Sequence, residues 1–168
     1  IVLSLDSDFL YSGPGHTLYA RTYSSRRTVR NRQSNLNRHY AVEGIPKSTG
    51  ARADHRLAVR PGEIARFAAA LASRLGVSAP AAGTIPPAWE VWISALADDL
   101  SSHRGRCLIV AGDGQPPVCH ALVYARSEAL GNFGKTIDFV TPVTFGPRIQ
   151  SSSLGSLVAD MEAESVQS

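Results

Sequence analysis

Five consecutive apolar residues, Cys107-Leu108-Ile109-Val110-Ala111, lie between Gly105 and Gly112 and constrain this chain more than any other feature. A run this short, bounded by glycine, fits a strand covered on both faces, and such strands belong to parallel sheets. Residues 1–5 repeat the pattern, broken only by Ser4 and followed by Asp6-Ser7-Asp8. Residues 40–42 and 56–59 form two shorter strand segments, stopped by Glu43-Gly44-Ile45-Pro46 and by Pro61-Gly62. Residues 137–140 can make a further strand.

Helical spacing fills the intervals. One helix is expected from His16 to about Val29, after Gly13-Pro14-Gly15, and a second from Pro61 with Ile64, Phe67, Ala68, Leu71 and Leu75 on one stripe. A third starts at Pro87 and carries Trp89, Trp92, Ile93, Leu96 and Leu100. A fourth carries Val118, Leu122, Ala125 and Ala129 and ends at Gly131-Asn132-Phe133-Gly134, and Leu154, Leu157, Val158 and Met161 mark a last one. Residues 77–87, rich in Ala, Pro and Gly, read as an internal linker or irregular crossing, and residues 30–37 as a mobile polar loop. Strands alternating with helices of this length imply a single α/β domain over residues 1–168. Its expected architecture is three layers, α/β/α, around a mainly parallel, Rossmann-like sheet.

The chain has 168 residues, of which 43% are apolar, enough for one domain to bury roughly 70% of its unfolded surface. No stretch reaches the roughly 18 uninterrupted apolar residues of a membrane span, and no signal core follows a charged start, so a soluble domain is expected. The chain opens at Ile1 directly into an apolar run, holds Met161 as its one methionine and stops in a polar stretch. The expectation is a piece of a longer protein. Cys107 and Cys119 show no Cys-x-x-Cys or paired His spacing, which supports neither a zinc site, a disulfide framework nor iron–sulfur ligation in this segment.

The net charge of +3 is unevenly divided, with ten Lys/Arg against four Asp/Glu in residues 1–60 and seven against ten in residues 61–168. Arg21, Arg26, Arg27, Arg30, Arg32 and Arg38 either attract an anionic partner or form a solvated basic helix end and loop. No aromatic interleaving or nucleic-acid motif accompanies them, and no nucleic-acid partner is expected.

In parallel sheets, ligands bind beyond the carboxyl ends of the strands. The candidates there are Asp6, Ser7, Asp8, Glu43, Gly112 and Gln115, although no Gly-x-Gly-x-x-Gly or Walker loop is present. Asp8 and Glu43 suit a ribose hydroxyl or a guanine edge and repel phosphate. His16, His39, His55, His103 and His120 are scattered without a nucleophile elbow or metal spacing, and adjacent Cys119 and His120 diverge by about 100° on a helix. Asp98-Asp99 reads as a solvated helix face. No catalytic or metal-binding residue is assigned.

Three stretches carry a family resemblance. Residues 42–62, from Val42-Glu43-Gly44-Ile45-Pro46-Lys47 through Ala53-Asp54 to Arg60-Pro61-Gly62, resemble the segment of molybdopterin oxidoreductases in which a strand ends at Asp-Pro-Arg. A Thr, an Ala-Asp and an Arg-Pro-Gly follow it there. Gly131-Asn132-Phe133-Gly134-Lys135 is similar to their later Gly-Asn-Ile-Gly-Arg segment, and Leu3-Ser4-Leu5-Asp6-Ser7-Asp8-Phe9-Leu10 extends the likeness in order over nearly the whole chain. The pattern resembles in particular the variant subunit of the quinol-oxidising alternative complex III, where such a domain is fused to an iron–sulfur domain and lacks the molybdenum cofactor. Glu43-Gly44-Ile45 replaces the family's Asp-Pro-Arg, and Asp8 stands where relatives often carry Asn.

The resemblance implies a scaffold domain without its own cofactor, in a bacterial subunit that is membrane-associated on the periplasmic side. Its partners would be other domains of the same chain and other subunits of a membrane electron-transfer complex, with iron–sulfur clusters elsewhere in the parent. Two alternatives stand beside it. One is a domain of an active molybdenum or tungsten oxidoreductase, with the six candidates lining a molybdopterin guanine dinucleotide; the other is a free-standing nucleotide-binding enzyme.

Overall fold

The computed structural model describes residues 1–29, 36–141 and 150–163, the side chains of 150–153 excepted. Four strands, β1 (Val2–Leu5), β2 (His39–Glu43), β3 (His55–Ala58) and β4 (Leu108–Ala111), form one sheet in the order β3-β2-β1-β4. Every pair is parallel, with Leu3 opposite both Tyr40 and Ile109, and Val42 opposite Leu57. The order matches the first four strands of a Rossmann-type sheet.

Side chains alternate across the sheet and give its two faces different chemistry. Leu3, Leu5, Tyr40, Val42 and Ile109 share one core with the buried faces of α2 (Ile64–Arg74), α3 (Pro87–Ser102) and α4 (Pro117–Ala129). Phe67 of α2 meets the Trp89 and Trp92 rings edge-on, and Trp92 meets Tyr40 edge-on, so α2 and α3 lock to the sheet through aromatic contacts. The opposite face presents Ser4, His39 and Glu43, all buried. There α1 (His16–Ser25) is tied down through Tyr23, and a one-turn helix, Gly50–Arg52, lies against β2.

The elements fall where the apolar pattern predicts, with four differences. The first helix ends at Ser25, not Val29, because the chain turns at Arg26 and Arg27 and the Arg27 guanidinium engages Asp54 and the Asn37 carbonyl. Pro61–Glu63 is a 3-10 turn ahead of α2. On α4 the buried residues are Cys119, Leu122, Arg126 and Ser127, so of the expected stripe Leu122 alone is buried, and Val118 is exposed.

Residues 137–140 form no strand. Only a single bridge joins Phe133 to Ile137, because Gly131 and Gly134 adopt left-handed φ of 69° and Asn132 gathers the amides of Lys135, Thr136 and Ile137 on its carbonyl. The proposed linker has no regular structure before Pro87, yet Val77, Ala79, Ala82 and Ile85 pack on the core, so it is an irregular crossing over the domain. The last helix exists as α5 (Gln150–Glu162), with Leu154, Leu157, Val158 and Met161 exposed. Residues 30–35 of the polar loop, including Arg30 and Arg32, lie outside the described residues. Among the described residues, no helix is long and apolar enough to cross a membrane.

Candidate functional site

β1 ends at Leu5, and the next residue adopts a left-handed φ of 54°, a conformation that Asp tolerates better than most residues. This turn aims the Asp6 carboxylate across the carboxyl ends of the strands. Its Oδ1 lies 2.7 Å from Lys47 Nζ, and its Oδ2 accepts a 3.1 Å bond from Gln115 Nε2. Lys47 Nζ also donates to the Asp6 carbonyl at 2.7 Å. Thus the ends of β1, β2 and β4 are joined through one carboxylate.

Glu43, at the end of β2, is 2% exposed. Its Oε1 accepts from Arg56 Nε at 2.6 Å and its Oε2 from the Lys47 amide at 3.3 Å. A Cβ on Gly50 would fall 2.0 Å from Glu43 Oε1, so the turn after β2 closes over the carboxylate only because residue 50 has no side chain. Asp8 Oδ1 accepts from the Thr49 amide at 2.8 Å, and Thr49 Oγ1 in turn accepts from the Leu10 amide at 3.2 Å. Ser7 is buried between the two aspartates.

Gly112 follows the same logic. A Cβ there would lie 2.2 Å from the Asp6 carbonyl oxygen, so the glycine admits the neighbouring backbone of β1. Beyond it, Pro116 caps α4 and Pro117 opens it, neither has an amide proton, and the Cys119 amide is spent on the Pro116 carbonyl at 2.8 Å. Few of the free amides that make a helix N-terminus an anion site remain here. As arranged, the six candidates do not fit the pyrophosphate of a pterin-guanine dinucleotide. Three carboxylates face the position, and both nearby cations, Lys47 and Arg56, are already bound to two of them. Among the buried side-chain atoms of this cluster, Gln115 Oε1 is left without a partner, on a side chain 7% exposed.

The five candidates with side chains therefore converge on one edge of the sheet, with Gly112 allowing the close approach. Lys47, Thr49, Gly50 and Arg56 belong with them and were not among the residues read from the sequence. The available signal was charge: two carboxylates at neighbouring strand ends require cations from nearby segments.

A second polar network lies on the face beneath α1. His39 Nδ1 is 3.1 Å from Tyr23 Oη and His39 Nε2 is 3.0 Å from Ser4 Oγ. The Tyr23 hydroxyl donates to the Arg52 carbonyl at 3.1 Å, which leaves it an acceptor for an Nδ1 proton and makes Ser4 the donor to Nε2. Burial lowers the His39 pKa to about 4. Ser4 and His39 form a hydroxyl–imidazole pair, but both are sealed from solvent, so it serves as a neutral strap between β1, β2 and α1.

Two further carboxylates away from the strand ends are held by arginines. Arg27 grips Asp54 with two bonds of 2.6 and 2.7 Å and, as the leading cause, brings the Asp54 pKa down to about 2. Asp99, expected on a solvated face, instead binds Arg38 at 2.5 Å and receives the Tyr40 hydroxyl. Of the stretch Arg21, Arg26, Arg27, Arg30, Arg32 and Arg38, Arg27 and Arg38 are thereby neutralised, while Arg21 and Arg26 are exposed. Burial pushes the Cys119 thiol up to about 11, which disfavours its thiolate. Among the described residues, no group of three or more His, Cys, Asp or Glu is arranged to hold a metal ion. An open groove of about 760 Å³ between α2 and α3, lined in part by Arg74, Glu90 and Val91, shares no residue with the strand-end cluster. No protein-family model matches the chain, and no curated protein matches it at a significant level.

Proposed function

We propose that this chain is a molybdopterin-oxidoreductase-like domain that works as a scaffold in a respiratory electron-transfer subunit, without chemistry of its own. Its role is to hold neighbouring iron–sulfur domains and partner subunits in register. One observation carries the reading: at the carboxyl ends of the strands, the charges expected for a ligand are consumed within the protein, Asp6 by Lys47 and Glu43 by Arg56. A site that binds a dianion keeps cations and amides free for it. Titration with guanosine diphosphate, which carries the guanine and pyrophosphate of the dinucleotide, tests this. No saturable binding is expected up to about 1 mM, and a dissociation constant below about 100 µM overturns the reading.

A second reading is a pterin-guanine dinucleotide-binding domain of an active molybdenum or tungsten oxidoreductase. Gln115 Oε1 favours it, since a buried acceptor without a partner suits a donor on a ligand. Stoichiometric molybdenum or tungsten, with pterin, in the parent protein purified from its native membrane would replace the first reading by this one.

A further inference from the structure

We propose that two copies of this chain associate by exchanging α5, the helix of each lying in the groove between α2 and α3 of the other. The inference stands apart from the functional reading above. It starts from two surfaces that the single chain leaves uncovered. Leu154, Leu157, Val158 and Met161 recur at positions i, i+3, i+4 and i+7 of α5, and all four are exposed. That is the anchor spacing of an amphipathic helix that lies in a groove. The groove of about 760 Å³ is walled by Ala70 and Arg74 of α2 and by Val91 and Ser94 of α3, and its Val91 is 75% exposed.

Charge fits the two surfaces to each other. The ionisable side chains of α5 are carboxylates, with no Lys or Arg among them. Arg74, on the groove wall, donates to Ser94 Oγ at 3.2 Å, and among the described residues it pairs with no carboxylate. Glu162 follows Met161 at the flank of the apolar stripe and supplies that charge. Glu90 lines the same groove, and the first half of α5, which has no carboxylate, suits it. The helix therefore runs with its acidic end toward Arg74. In the chain itself α5 stays out of this groove. Its side chains from 154 onward are exposed, the segment before it touches Tyr124 of α4 through Phe139, and α2 stands between α4 and the groove.

Area then favours a closed pair of copies. A helix of 13 residues is about 20 Å long and about 10 Å across, so one docked face buries on the order of 800 Å² counted over both surfaces. A contact of that size is no larger than crystal packing, whereas two reciprocal contacts about a two-fold axis bury about 1,600 Å², the size of a specific interface. Holding in place a helix that is marginal alone offsets part of this gain, and a dissociation constant of about 100 µM is expected.

Sedimentation equilibrium of the full chain from about 5 µM to about 1 mM tests the exchange. The mass should rise from one chain to two and go no further. Leu157→Asp on α5 and Val91→Asp in the groove, both at exposed positions, are each expected to weaken association about tenfold or more. Arg74→Glu should weaken it as well, and adding Glu162→Arg to that variant should restore it, which a general loss of folding would not allow. A single-chain mass throughout the range overturns the proposal. So does association that Val91→Asp leaves unchanged, which pairs α5 with α5, and so does growth beyond two chains, which makes the contact open-ended. A stability loss from Leu157→Asp at about 5 µM, with no change of mass at any concentration, would put α5 in the groove of its own chain instead.

Discussion

His39 shows how one side chain can make the fold sensitive to pH. Its imidazole is held neutral between Ser4 and Tyr23, with a folded pKa of about 4 against an ordinary value of 6.5. Protonation removes the acceptor that Ser4 uses and buries a charge, so the unfolded chain takes up the proton first. The stabilisation from the neutral ring is complete above pH 6.5, declines as pH falls from 6.5 toward 4, and amounts to on the order of 3 kcal/mol. Below that window, Asp54 adds a further loss as its pair with Arg27 is protonated toward pH 2. Urea midpoints measured from pH 7.5 to 4 should fall in the parent chain and fall much less in His39→Gln. Equal slopes would remove His39 from the account. None of this is legible in the sequence, where Ser4, His39 and Tyr23 lie 35 and 16 positions apart. The strand-end cluster hides in the same way: Asp6 meets Lys47 and Gln115 across 41 and 109 positions.

At the scale of elements, apolar period was a reliable guide until a polar residue entered the core. The stripes of α2 and α3 were readable because nearly every buried position is aliphatic or aromatic. On α4 the inward position 126 is an arginine, 4% exposed, so the apolar pattern marked Ala125 in its place. Its Nη1 donates to the Leu75 carbonyl at 3.0 Å, beside the end of α2, while its Nε has no partner and burial lowers its pKa. A buried cation without a carboxylate costs more than one helix-end bond returns, since water can reach the half-buried end of α2. Arg126→Met keeps the volume and removes the charge. It is expected to stabilise the domain by about 1 kcal/mol, read as a rise of about 3 °C in thermal midpoint. A loss of 1 kcal/mol or more would mean that the cap on Leu75 dominates.

For the whole molecule, the parallel α/β class was legible because short apolar runs alternate with amphipathic segments, and only helices on both faces can cover such strands. What periodicity does not encode is which elements remain uncovered. α5 repeats apolar residues at helical spacing as α2 does, yet Leu154, Leu157, Val158 and Met161 are exposed, as is every described side chain from 154 to 163. A helix whose described apolar side chains are all exposed adds little to stability, and one of 13 residues is marginal alone in water. Removing residues 150–168 should therefore leave the urea unfolding free energy within about 0.5 kcal/mol of the parent chain. Solubility should rise, because the exposed stripe goes with it. A loss above about 1 kcal/mol would show instead that α5 closes over part of the core in solution, and the stripe would then count with α2 and α3 as a third apolar face of the same domain.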